Sequence, residues 1–178
     1  MPKTIELGRS WVQPDYQPSA TSRKGLFTLD NLWDGLGALI VLNPNIEYFF
    51  GKVTMYTSYN KEARDKLLTF MDCFFPDNDK LVFPKRRLKI THNMESFINE
   101  IKDLDYKQAH KLLSVHLKEK EERIPPLINS YMNLSATMKT FGTAENPDFG
   151  DVEETGILVK IKDMYTAKTD RHIGTFKG

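Results

Sequence analysis

Glu6 and Arg9 sit within a run that alternates like a strand, Ile5-Glu6-Leu7-Gly8-Arg9-Ser10-Trp11-Val12. A carboxylate and a guanidinium placed there are costly to desolvate unless they pair or act. A break at Pro14-Asp15 follows, then a basic loop, Ser22-Arg23-Lys24-Gly25, and directly after it a strongly apolar helical pattern. A strand that passes through a basic, glycine-containing loop into a helix N-terminus can hold a phosphate, because free backbone amides and the helix dipole both face the anion. Arg23, Lys24 and Gly25 are thus candidate phosphate ligands. On the residues alone the loop also reads as a solvated turn, and Arg9 as the partner of a carboxylate elsewhere in the fold.

The elements that must position these groups read as alternating strands and helices. From Thr28 to Leu42 apolar residues fall at 29, 32, 33, 36, 39 and 40, the helical period, with Thr28 as N-cap and Asn43-Pro44 as the stop. A second strand is expected over 47–56. Asn60 can cap the next helix, whose Ala63, Leu67, Phe70, Met71 and Phe74 form one stripe that Pro76 ends. Connections of this length fit an α/β layer. Further on, a short helix near 94–102, a longer one near 105–122 and another short one after Ile124-Pro125-Pro126 are expected. Two strands close the pattern, one from Lys139 to Ala144 and one carrying Ile157, Val159 and Ile161. From Tyr165 onward the chain reads as a polar surface tail, so the domain is placed at 1–164 and the tail at 165–178.

Composition narrows the class. At 178 residues, 40% hydrophobic and 28% charged, the chain can bury one real core. Its longest apolar run, Leu36 to Leu42, is too short for a bilayer span. Met1-Pro2-Lys3-Thr4 leads into a strand and not into a signal-peptide core, and Cys73 is the single cysteine, so a cytoplasmic setting is the expectation. Cys73 reads as a packing residue beside its helix stripe. The four histidines, His92, His110, His116 and His172, show no ligand spacing. The net charge of +1 hides one asymmetry: between Leu81 and His92 there are four basic residues, Lys85, Arg86, Arg87 and Lys89, and no acid. That run is either a solvated segment or a docking surface for an acidic partner.

Several segments together resemble a known family. Glu6-Leu7-Gly8-Arg9, Gln13-Pro14-Asp15-Tyr16-Gln17, the basic loop and Leu32-Trp33-Asp34-Gly35-Leu36-Gly37 are similar to the bacterial GNAT-like acyltransferases that carry the label "hemolysin". This group includes the ornithine-lipid and glycine-lipid N-acyltransferases. Tyr48-Phe49-Phe50-Gly51-Lys52-Val53, Ile124-Pro125-Pro126-Leu127-Ile128-Asn129-Ser130-Tyr131 and Asn146-Pro147-Asp148-Phe149 resemble later segments of the same family. The Glu-Leu-x-Arg strand is more distantly similar to one in acyl-homoserine-lactone synthases, which carry Ser where this chain has Gly8.

The resemblance implies an α/β, GNAT-like mixed sheet flanked by helices. It also implies that this chain is the C-terminal portion of such a domain, without the family's first strands, so self-association or a partner chain completing the sheet is expected. The implied reaction moves a fatty acyl group from acyl carrier protein to the amino group of a small amino acid, glycine or ornithine, in lipoamino-acid synthesis. Glu6 would serve as base or base-orienting group and Arg9 as organiser of the site. Arg23, Lys24 and Gly25 would bind the pantetheine phosphate, with acyl-coenzyme A as the alternative donor; the lone Gly25 fits a single-phosphate donor better. Lys85, Arg86, Arg87 and Lys89 would dock the acidic carrier protein. No intrinsic metal or redox cofactor and no nucleic-acid partner are expected. The aromatic set Trp33, Phe49, Phe50, Phe70, Phe74 and Phe75 reads mainly as core, with members available to line an acyl tunnel. Two other readings remain: a non-catalytic module that binds acyl carrier protein or lipid, and a hemolysin-like membrane-active protein. Peripheral contact with the inner membrane follows from the lipid nature of the product.

Overall fold

The computed structural model describes residues 3–8, 13–14 and 28–174, with side chains in the last stretch from Asn31 onward. Its elements run β1 (Thr4–Leu7), α1 (Thr28–Leu42), β2 (Tyr48–Tyr56), α2 (Lys61–Phe74), α3 (Glu95–Ile101), α4 (Tyr106–Glu119), α5 (Pro126–Met132), β3 (Lys139–Asn146), β4 (Val152–Lys160) and α6 (Thr166–His172). The sheet order is β1-β2-β4-β3, with β1 parallel to β2 and the other neighbours antiparallel. A mixed sheet with flanking helices is the α/β arrangement that the resemblance implies.

The helices form where the apolar period predicts them. In α2, Asn60 Oδ1 accepts from the amides of Glu62 and Ala63, both at 3.1 Å, and satisfies two of the donors that a helix start leaves open. In α4, Asp105 and Gln108 form a reciprocal capping box. On β2 the odd positions Phe49, Gly51, Val53 and Met55 are buried while Lys52 and Tyr56 are exposed. Strand alternation therefore puts one sheet face under the helices and leaves the other open. The core gathers Trp33 of α1, Phe49 of β2, Leu67 and Phe70 of α2, Leu113 of α4 and Ile157 of β4.

Two expectations change and a third is made specific. The segment from Tyr165 carries α6, whose His172 is buried and donates from Nδ1 to Asp34 Oδ1 of α1 at 2.7 Å. Gly37 makes this docking possible, because a Cβ there would lie 1.6 Å from the His172 carbonyl oxygen. Cys73 is exposed and not packed, since its neighbours Leu67, Phe70, Met71 and Phe74 take the inward face of α2. The basic segment, read as solvated, takes a strand-like form: the Leu88 amide donates to Thr143 O, and the Glu145 amide to Arg86 O, so residues 86–88 lie antiparallel along the outer edge of β3.

Candidate functional site

Glu6 stands opposite Phe50 in the β1–β2 ladder and its side chain is exposed, on the face away from Ile5 and Leu7, which pack on the core. Among the described residues this ladder ends at Leu7 opposite Gly51, whereas β2 runs on to Tyr56 paired with β4. Beside that end lies a cavity of about 930 Å³. It draws on both faces of the sheet: Glu6, Lys52, Thr54 and Glu154 come from the open face, and Leu7, Leu127 and Tyr131 from the helix side.

Tyr131 enters the cavity from α5. Its ring meets Trp33 edge-on with centroids 5.5 Å apart, and Trp33 Nε1 donates to Ser130 Oγ at 2.9 Å, which fixes the start of that contact. Gly51 leaves the Tyr131 hydroxyl its place, because a Cβ there would come within 2.7 Å of that hydroxyl and displace it. Burial pushes the Tyr131 hydroxyl up to about 12, so it remains a protonated donor at neutral pH. Across the cavity, Lys52 Nζ lies 3.0 Å and 3.1 Å from the two Glu154 oxygens, and Asn146 Nδ2 donates to Glu154 Oε2 at 2.8 Å. The exposed rings of Tyr56 and Phe149 add an apolar rim. The cavity thus offers two carboxylates, one ammonium, the hydroxyls of Thr54, Tyr56 and Tyr131, and an apolar rim.

A buried ionic network ties this site to the scaffold. Arg64 donates from Nη1 to Glu153 Oε1 at 2.6 Å and from Nε and Nη2 to Asp65 Oδ1 at 2.9 Å and 2.7 Å. Asp65 Oδ2 accepts from the Thr91 amide, the Thr91 hydroxyl, the His92 amide and His92 Nδ1 at 2.8–3.1 Å. Burial alone would raise the Asp65 pKa, but hydrogen bonds from His92, Arg64 and the two amides outweigh it and hold it below the usual carboxylate range. Glu153 precedes Glu154 on β4, so α2 clamps the inner face of the strand whose outer face supplies the cavity carboxylate.

The candidates from the sequence divide. Glu6 lines the cavity. Arg9, Arg23, Lys24 and Gly25 lie outside the described residues. Lys85, Arg86, Arg87 and Lys89 are exposed and none lines the Glu6 cavity; Arg87 and Lys89 instead border a second cavity of about 460 Å³ against Leu68 and Met71 of α2. None of the six core aromatics lines the Glu6 cavity, where Tyr56 and Phe149 stand instead. His110 and His116 have separate partners, Asn129 and Glu100. Lys52, Glu154 and Tyr131 were not singled out by the sequence, although Lys52, Tyr131 and Asn146 lie within the segments that carry the resemblance.

No known family model matches the chain. No solved structure matches it. Over 176 residues, 99% of the chain, it is 48% identical to the glycine N(alpha)-acyltransferase of Phocaeicola vulgatus, of which it covers 54%. Against the glycine N(alpha)-acyltransferase of Bacteroides thetaiotaomicron it is 49% identical over 176 residues and covers 52%. The chain spans about half the length of these curated relatives, and over nearly its own entire length it is similar to proteins named for acylating an amino group.

Proposed function

We propose that the chain supplies the donor-binding and reacting part of an N-acyltransferase, which moves a fatty acyl group from acyl carrier protein to the amine of a small amino acid. The observation that carries this reading is the placement of Glu6 at the end of the β1–β2 ladder, in a cavity it shares with a neutral hydroxyl donor, within a chain nearly half identical to two glycine N(alpha)-acyltransferases.

The chemistry follows from these groups. The acceptor arrives as an ammonium, and Glu6 takes its proton. The free amine attacks the thioester carbonyl; the C–N bond forms, the C–S bond breaks, and Tyr131 donates to the departing thiolate. The proton shed by the new amide nitrogen returns to the Tyr131 oxygen, while Glu6 passes its own proton to solvent. Beyond Gly51 the β1-facing side of β2 has no strand partner among the described residues, and its backbone groups would be offered to the pantetheine amides. Arg9, with Arg23, Lys24 and Gly25 at the phosphate, would complete the donor site. The acyl chain lies along Leu127, Tyr56 and Phe149. Lys85, Arg86, Arg87 and Lys89, exposed together on one segment, form the docking surface for an acidic carrier protein. Product lipids place the protein at a membrane surface by peripheral contact, and a further polypeptide segment would extend the sheet beside β1.

The test incubates the full protein with long-chain acyl carrier protein, or acyl-coenzyme A in parallel, and a panel of amino acids, with products read by mass spectrometry. The expected product is an N-acyl amino acid, formed faster from the carrier protein. Absence of N-acylation with every amine would overturn the reading, and preference for coenzyme A would remove the docking role of the basic segment.

A further inference from the structure

Resting on the acyl-transfer reading above, we infer that Lys52 is the carboxylate-binding group for the acceptor amino acid, held in place by Glu154 and Asn146. Lys52 projects from the open face of β2 into the cavity that Glu6 lines. Its side chain is half exposed, whereas that of Glu154 is only 12% exposed. Glu154 is the fixed partner: Lys52 approaches both its oxygens, at 3.0 Å and 3.1 Å, and Asn146 Nδ2 holds Oε2 at 2.8 Å. An ammonium has three donors, and Glu154 is the one carboxylate within reach of Lys52 among the described residues. With two donors directed at the Glu154 oxygens, one remains for a ligand in the cavity that Lys52 lines.

The register sets the spacing. Glu6 lies opposite Phe50, and Lys52 is two residues further along the same strand on the same face. Strand rise and spacing then separate the Glu6 and Lys52 Cα atoms by about 8 Å, close enough for both side chains to converge on one small molecule. An α-amino acid presents an ammonium and a carboxylate a few bonds apart. Its ammonium meets Glu6, where the proton must leave, and its carboxylate meets Lys52, the single cation among the described residues lining this cavity. This arrangement selects amino acids over simple amines. A cross-strand ion pair with no ligand role would contribute little stability and would leave acceptor preference unchanged.

The experiment compares wild type, Lys52→Met and Lys52→Arg in the full protein, with glycine and with glycinamide, which keeps the amine and lacks the carboxylate charge. Lys52→Met is expected to raise the KM for glycine about tenfold or more, with a smaller change in kcat, while the KM for glycinamide moves less than about twofold. Lys52→Arg restores most of the glycine preference. Equal effects on both acceptors, or none, would overturn the assignment. Isothermal titration with glycine gives a readout independent of turnover: weaker glycine binding in Lys52→Met supports the subsite even where no acyl transfer is seen, and unchanged binding removes it. Absent transfer with Lys52-dependent glycine binding counts against the acyl-transfer reading alone. Lys52→Gln replaces Lys52→Met where thermal denaturation shows the latter unfolded.

Discussion

Asp65→Asn is the substitution whose cost can be worked furthest from the structure. The Asp65 side chain is fully buried and takes six donated hydrogen bonds: two from Arg64 on one oxygen and four from Thr91 and His92 on the other. Asparagine keeps the shape but has one acceptor oxygen, so its amide group must face donors on one side with a hydrogen of its own. It also removes the charge that compensates Arg64, which is itself buried. Removing one partner of a buried ion pair costs about 3–5 kcal/mol. Glu153 still holds Arg64, and the His92 side chain is 40% exposed, so the lower end applies, about 3 kcal/mol. Against a typical total of about 5–15 kcal/mol that is a large fraction, and for a domain of this size it lowers the melting temperature by about 10 °C. Urea and thermal denaturation followed by circular dichroism measure it. The pH dependence gives a second check. The folded Asp65 pKa is held below its ordinary value, so its contribution is complete above the unfolded carboxylate pKa of about 3.9 and is lost as pH falls through the lower folded value. The gap between wild type and variant should therefore persist through neutral pH and close only below about pH 4. A loss under about 1 kcal/mol, the scale of a surface pair, would refute the reasoning.

Glu6→Gln should lower acyl transfer by about 100-fold or more with the melting temperature unchanged, and near-normal turnover would remove Glu6 as the base. Tyr131→Phe should slow turnover by about 10–100-fold. Because the Tyr131 hydroxyl stays protonated up to about 12, the rate ratio to wild type should be flat across neutral pH, and a ratio that titrates there would argue against its donor role. Gly37→Ala places a Cβ on the His172 carbonyl oxygen, so it should destabilise the fold by about 1–3 kcal/mol and release α6, seen as lost amide protection in hydrogen exchange over residues 166–172. Unchanged protection would show that α6 does not depend on that approach.

Most of the scaffold was legible because its signals are local. The apolar period over 28–42 is α1, and Asn60 and Pro76 bracket α2. α6 was not legible: Thr166–His172 has no apolar stripe and is held through one buried histidine and the bare backbone at Gly37. The basic segment hid its structure for a related reason, since residues 86–88 are fixed by backbone hydrogen bonds to β3, which leave no side-chain pattern. In the cavity, Glu6 was readable through its motif. Lys52 and Glu154 were not, because a polar residue on the open face of a strand reads the same whether it meets water or a ligand; only the β2–β4 register makes them neighbours. Tyr131 read as part of a short helix, and its approach to Gly51 depends on how α5 packs across the sheet.

The strip along β3 separates two kinds of constraint. Its main chain is committed to the sheet through the amides of Leu88 and Glu145, while Lys85, Arg86, Arg87 and Lys89 extend outward as exposed side chains. Selection can therefore rewrite the charge at Lys85 and Arg86 without disturbing the fold beneath, whereas Arg87 and Lys89 also border the cavity against α2. The same strip guards an edge that would otherwise recruit foreign strands, and that guard stays in place whatever charge it displays.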